Sequence, residues 1–387
     1  MVLSKFKNVK ITGVSAVAAP NEVNIYDEAQ YYGGNIKKID RLRKIAGFHK
    51  RRTVEEGTTA SDLAIQAGEN LIKELNIDKS TIEAVIFVRQ RPDVARPATS
   101  FFIHNTLGLN KNAMAFDMSL GCTGWMQGMN TAHALIESKA CKNVLLLAGD
   151  TPSLEVNIND RINAPVFGDG GSAAFLEYCK KENPSYFDTG ADGSGFEAII
   201  TPASGYRFTL KYPLDEHIKD NEELIKPFIS KFGYKQRITD MYMDGAKVFE
   251  FTRTEVPKSI KRLLEYANMH EKDIDYLMLH QANKQIIQTI AKTIGFDEDK
   301  APYSAFEIYG NSSVTSIPIA INHSLNKDTK KEKVLCSSFG CGLAWCSGIF
   351  NFGNVYFSGV RDYIPPKNKK TRQDWIDYWK AKIKGEN

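Results

Sequence analysis

The chain has 387 residues, with 50 Lys plus Arg against 46 Asp plus Glu and a formal charge of +4 at neutral pH. Residues 357–387 carry eight basic and four acidic side chains, so residues 1–356 hold 42 of each sign and lack the broad basic field of a general nucleic-acid binder. A composition 42% hydrophobic and 25% charged is that of an ordinary globular protein, and no apolar run reaches the ~18 residues that span a bilayer. Lys5 and Lys7 precede no long apolar segment of the signal-peptide kind, which makes a cytoplasmic location the expectation. The six cysteines are then read as thiols, reactive or packed, and not as a disulfide framework.

In chain order, β-branched apolar runs predict strands at 9–18, 82–88, 113–118, 144–148 and 173–178. Helices are predicted between them at 61–75, 98–107 and 123–137, where apolar residues recur three and four apart. The alternation predicts an α/β protein with a mostly parallel sheet covered on both faces. After a turn-rich stretch at 183–205 a second set follows: helix 246–268, strand 274–279, helices 284–294 and 314–325, and a strand pair at 333–339 and 343–352. Two halves of similar rhythm, 1–182 and 183–356, suggest a duplicated architecture. From 357 onward a basic extension is expected, with a solvated linker around Pro365-Pro366 and a short helix at 373–384. That helix places Trp375, Ile376, Trp379 and Ile383 near one side, to pack on the body or on a partner subunit, or to dock at a membrane surface.

Four strand ends or turns carry the chemistry. The segment from Phe116 to Trp125 runs from a strand through a glycine turn into a helix, placing Cys122 near a helix N-terminus. There, free N–H groups and the dipole stabilise a thiolate that would otherwise form only near pH ~8.5. The segment from Ile274 to Asn283 delivers His280 from an apolar strand into a polar turn at a helix start, where ligands meet α/β sheets. Tyr309-Gly310-Asn311 presents an amide on a glycine turn. Ser337 to Trp345 forms a small-residue turn between two strands, able to bring a backbone N–H close to a ligand.

GCTGW around Cys122, GDGGSAA at 168–174, HQAN at 280–283, YGNSSVTSIPIA at 309–320 and SSFGCGLAW at 337–345 together resemble β-ketoacyl-acyl carrier protein synthase III, a branch of the thiolase superfamily. The order and spacing fit across about residues 5–353. The resemblance implies a thiolase-like five-layer αβαβα sandwich of two duplicated halves, assembled as a homodimer. It implies that Cys122 accepts an acyl group as a thioester, from acyl-coenzyme A or an acyl carrier protein. His280 and Asn311 would then stabilise the enolate formed when malonyl-acyl carrier protein loses carbon dioxide. The N–H groups of Cys122 and Cys341 would form the oxyanion hole, and neither metal nor redox cofactor is implied.

The chain departs from the family at several points. Cys341 stands where a glycine is usual, and is either a packed small residue or a second reactive thiol. Arg96 replaces a common aromatic at the acyl pocket, meeting a polar acyl group, turning away or pairing with a local acid. Arg161 matches an arginine that stacks on adenine, but its usual tryptophan partner is replaced near Arg41 by a non-aromatic residue. Gln285 stands where an arginine is usual, leaving Lys284 and Lys292 as nearby cations, and Arg51 is a candidate phosphate contact. The basic extension is the place where charge for an acidic carrier is regained, or where the dimer is sealed. Other readings are an acyltransferase or cyclase using acyl-Cys122 without decarboxylation, and a cysteine hydrolase, whose local signature is missing. Cys336, Cys341 and Cys346 lack zinc spacing.

Overall fold

The computed structural model describes residues 2–205, 207, 211, 213, 215–231, 233–326 and 332–386. Two large mixed sheets carry the architecture. In chain order their strands are β1 (Val2–Phe6), β2 (Val9–Ala18), β3 (Ala84–Arg89), β4 (Met114–Ser119), β5 (Asn143–Asp150), β6 (Gly170–Tyr178), β7 (Ser185–Ala191), β8 (Tyr276–Leu279), β9 (Val334–Gly340), β10 (Ala344–Phe350) and β11 (Tyr356–Asp362). The six-stranded sheet has the order β11-β2-β6-β5-β3-β4 and the five-stranded sheet β1-β7-β10-β9-β8. The helices are α1 (Ile36–Ala46), α2 (Ala60–Glu74), α3 (Thr99–Leu107), α4 (Gly124–Glu137), α5 (Ile218–Ile225), α6 (Gly245–Ala267), α7 (Lys284–Ile294), α8 (Ser304–Tyr309), α9 (Ser316–Ser324) and α10 (Arg372–Lys384).

Three apolar clusters define the layers. Along β3 the side chains alternate, Val85 and Phe87 packing outward with Leu63, Leu71 and Ile103 of α2 and α3, and Ile86 and Val88 packing inward. The inward cluster joins both sheets through Trp125, Met126 and Met129 of α4 and Ile317 and Ile321 of α9. Beyond the second sheet, Val256, Ile260 and Leu263 of α6 and Ile287 and Ile290 of α7 cover Leu277, Leu279 and Leu335. The result is the αβαβα sandwich, with each sheet buried on both faces and α4 and α9 shared between them.

Three expectations need correction. The sheets are mixed: β3 runs parallel to β4 and β5, but β6 is antiparallel to both β2 and β5, and β10 to both β7 and β9. Short connections such as the one between β9 and β10 permit only antiparallel return. The turn-rich stretch contains β7, whose Gly190 makes room for the Trp345 ring, with which an added Cβ would clash. The boundaries also differ, because each end of the chain belongs to the other half: β1 pairs with β7 of the second sheet, and β11 pairs with β2 of the first. A bulge between Phe357 and Val360 and the polar, half-exposed surface of β11 hide its strand pattern. The extension proper starts after Asp362. Its helix α10 opens on a capping box at Thr371 and buries none of its residues on the body.

Candidate active site

The ends of β4, β8 and β9 and the turn after α8 converge on one cavity of about 110 Å³, lined by Cys122, His280, Asn311, Ser313, Gly340 and Cys341 among others. Cys122 follows β4 and precedes α4, with Gly124 N–H donating to Gly121 C=O at 2.7 Å. Its pKa is held well below the ordinary thiol value, first by a hydrogen bond from the Cys341 side chain, then by the charge and hydrogen bond of His280 and by the Cys341 backbone N–H, while burial opposes them. Cys341 is pushed the other way by the same contact, by burial and by the charge of Cys122. Of the two sulfurs, Cys122 therefore ionises, because it alone has both the helix N-terminus and the histidine.

His280 is buried at the end of β8 and meets the Phe339 ring edge-on at a centroid distance of 5.4 Å. Its Nδ1 lies 2.5 Å from Ser316 Oγ. The Gln281 N–H donates to the same oxygen at 3.4 Å, so the Ser316 hydroxyl proton is free to point at Nδ1. The contact orients the ring and leaves Nε2 as the nitrogen available to the cavity. Gln281 also accepts from Phe306 N–H at 3.2 Å, which ties the histidine turn to α8 and hence to the asparagine that follows it.

Asn311 is placed by Gly310, at φ 73°, where an added Cβ would lie 2.9 Å from the Arg51 Cβ. The Asn311 N–H donates to Val166 C=O at 2.8 Å, and its C=O accepts from Gly168 N–H at 3.1 Å. Its Oδ1 accepts from Ser313 N–H at 2.9 Å, so the Nδ2 end is the one available to the cavity. The GDGGS segment thus serves as the wall that holds the asparagine turn. Its Asp169 accepts from Val54 N–H and Ser153 N–H, with burial pushing its carboxyl up to about 6. Asp150, at the end of β5, bonds Ser313 and is pushed up to about 8 by burial.

Gly340 brings the β9 turn against Cys122: an added Cβ there would lie 2.6 Å from the Cys122 Cβ and 2.8 Å from its sulfur. The next residue, Cys341, turns its N–H toward that sulfur. The peptide between Gly342 and Leu343 is cis. Gln90 Nε2 lies 4.0 Å from the Cys341 sulfur. Cys336 and Cys346 are buried in adjacent strands with their thiols pushed up by burial, as packed residues. No group of three or more His, Cys, Asp or Glu among the described residues could hold a metal.

The other expected residues lie apart from this centre. Arg51 is buried, and its two Nη atoms bond Glu28 at 2.9 and 2.6 Å, which corrects its reading as a phosphate contact. Arg161 bonds the same carboxylate at 2.9 Å and the Tyr32 hydroxyl at 3.0 Å, with the Tyr31 and Tyr32 rings 5.1 and 4.7 Å from its guanidinium. Its aromatic partners therefore come from the turn at 25–32 instead of from position 41. Arg96 is exposed before α3, and no hydrogen bond or ion pair ties it to another described residue. Lys284 opens α7 with its Nζ 4.7 Å from the Tyr303 ring centroid, while Lys292 is exposed in the last turn. Ser316, Ser313, Asp150, Gln90 and Glu28 escaped sequence reasoning. Only Ser313 and Ser316, both inside the YGNSSVTSIPIA run, carried any local signal.

The chain is similar to known proteins over most of its length. The family models for 3-oxoacyl-[acyl-carrier-protein] synthase III and for its C-terminal part match residues 116–193 and 264–352. The β-ketoacyl-[acyl-carrier-protein] synthase III of Aliarcobacter butzleri is 31% identical, the match covering 81% of this chain and 90% of that protein. A Campylobacter jejuni protein named provisionally as a 3-oxoacyl-[acyl-carrier-protein] synthase 3 is 33% identical over 94% of this chain and 99% of its own. The crystal structure of a 3-oxoacyl-(acyl-carrier protein) synthase from Burkholderia xenovorans superposes with a TM-score of 0.83 at 29% identity, over 93% of this chain and 99% of that one.

Proposed function

The chain belongs to the β-ketoacyl-acyl carrier protein synthase III family of the thiolase superfamily, and is a condensing acyltransferase of fatty-acid or polyketide biosynthesis; from that premise we propose the following roles for its residues. Cys122 attacks the carbonyl of an acyl thioester, the donor's C–S bond breaks with release of its thiolate, and Cys122 carries the acyl group. The proposed extender is malonyl on an acyl carrier protein. As it loses carbon dioxide, negative charge moves to its thioester oxygen, where His280 Nε2–H and Asn311 Nδ2–H are the donors. Two preorganised donors in a cavity screened from water stabilise that charge more than solvent does. The enolate carbon then attacks the acyl-Cys122 carbonyl, whose oxygen is received by the N–H groups of Cys122 and Cys341, and the Cys122 thiolate departs.

The observation that carries this reading is the convergence of a thiolate-stabilised Cys122 with His280 and Asn311 in one cavity. The chemistry needs no redox cofactor or metal, because the thioester carbonyl is itself the electron sink. The pairing of Arg51 and Arg161 with Glu28 favours a carrier protein over coenzyme A as acyl donor. The open edge of β4, with Met114, Phe101 and Phe102 exposed beside it, supports a homodimer formed there, with Arg96 at the interface. Lys284, Lys292 and the basic extension are proposed to receive the acidic carrier. A cytoplasmic location is proposed from the free thiols. No helix among the described residues is long and apolar enough to cross a membrane.

The test is intact mass spectrometry after incubation with acyl-coenzyme A and acyl-carrier thioesters. A mass gain on the wild type that is absent from Cys122→Ser identifies the donor, and no adduct from any donor overturns the reading. Adding malonyl-acyl carrier protein must then give a β-keto product. Acyl transfer alone would point to an acyltransferase or cyclase.

A further inference from the structure

We propose that the Cys341 thiol is a further catalytic group of this site: its S–H donates to the Cys122 sulfur and stabilises the thiolate, both before acyl loading and when that sulfur is expelled at the end of condensation. The assignment rests on Cys122 being the acyl-carrying nucleophile.

Three features of the geometry support it. First, Gly340 lets the β9 turn approach so closely that no Cβ would fit between it and Cys122, which sets the residue that follows beside the sulfur. Second, Cys341 and Cys122 line the same cavity, where each shifts the other's ionisation, Cys122 downward and Cys341 upward. Third, Gln90 supplies an orienting contact: its Nε2 reaches the Cys341 sulfur at 4.0 Å, while its Oε1 lies 2.9 Å from where a Gly121 Cβ would be. Gln90 thus bridges the turns that carry the two cysteines. An N–H directed at the Cys341 sulfur uses one of its lone pairs and leaves the S–H to donate to another acceptor, and Cys122 lines the same cavity.

The proton stays on Cys341 throughout. Burial and the neighbouring negative sulfur both oppose its ionisation, so the pair divides into one thiolate and one donor. Stabilising the thiolate raises the fraction of enzyme ready for acylation, and it makes Cys122 a better leaving group when the tetrahedral intermediate collapses. A glycine at position 341 supplies only the backbone N–H; cysteine adds a second donor on the same residue.

The experiment is the rate of Cys122 alkylation by iodoacetamide against pH, read by mass spectrometry with peptide mapping. It is run on the wild type, Cys341→Ala and Cys341→Ser, with circular dichroism as a folding control. It uses no acyl donor, so its failure is distinguishable from failure of the acyl-loading test. In Cys341→Ala the rate at pH 7 should fall roughly tenfold, converging with wild type at strongly alkaline pH, where every thiol is ionised. Cys341→Ser, which keeps a donor, should recover most of the loss. An unchanged rate in Cys341→Ala overturns the proposal. So does a Cys341→Ser as slow as Cys341→Ala, because the loss is then one of shape, and so does labelling of Cys341 as fast as Cys122. If Cys341→Ala does not fold, Cys341→Gly takes its place under the same criteria.

Discussion

Ser316 Oγ lies 2.5 Å from Nδ1 of His280, across 36 residues of sequence, and this contact orients the ring so that Nε2 is left to the cavity. Ser316→Ala should leave acyl loading of Cys122 intact, since that step needs only the nucleophile and the oxyanion donors. Decarboxylation of the malonyl thioester should fall about tenfold, the cost of one hydrogen bond to a group that must donate in the transition state. Carbon dioxide release, measured beside acylation by intact mass, separates the two. Equal loss of both would contradict the assignment.

Asp150 is buried with its carboxyl pushed up to about 8. In the unfolded chain it ionises near its ordinary value of 3.8, so between these values the folded state binds the extra proton. Stability from this group is full below about pH 4 and declines as pH rises toward 8. Asp150→Asn removes the titration at nearly constant shape. Urea unfolding at pH 5 and pH 8 should show wild type losing on the order of a few kcal/mol more than Asp150→Asn across that interval.

Glu28 stands between two guanidinium groups. Burial raises its pKa, but the hydrogen bonds and charges of Arg51 and Arg161 hold it net below the usual carboxylate range. Its stabilising contribution is therefore present above the ordinary value of 4.5 and lost as pH falls through the lowered one. Glu28→Gln leaves two poorly compensated cations facing each other, and should cost about 3–5 kcal/mol by denaturant unfolding at neutral pH.

Gly310 has a conformation that a side chain resists, with the Arg51 Cβ in the way. Gly310→Ala should cost about 1–2 kcal/mol and move Asn311. Thermal melting checks the first effect, and a condensation loss larger than the loss of acyl loading checks the second.

The carboxyl end offers a contrast between two truncations. Removing 371–387 deletes α10, which buries no residue on the body, and should leave the melting temperature unchanged. Removing 357–387 also deletes most of β11 and exposes the β2 edge, and should lower it by several degrees. A large loss from the shorter truncation would mean that α10 is covered in solution.

Much of the candidate site was legible because it is built from local grammar. A strand running into a glycine turn and a helix states its own geometry, and Cys122, His280 and Asn311 each sit at such a junction. The rim was less legible. Arg51 and Arg161 read as free cations because the carboxylate that binds both, Glu28, lies 23 and 133 residues away. Likewise, β11 lacks an apolar alternation because it is a half-exposed, bulged edge whose identity comes from its neighbour β2.

The sequence by itself determined the α/β rhythm, the three candidate site side chains and the small residues beside them, since each depends on a few neighbouring residues and on the sterics of glycine. Only the tertiary structure decided what surrounds those side chains: Ser316 on His280, Gln90 and Cys341 beside Cys122, Glu28 on the arginines, and the exchange of β1 and β11 between the halves. Those relationships join residues tens to hundreds of positions apart. They exist only once packing has brought the surfaces together, and the charge and burial they create are what set the chemistry of the thiol.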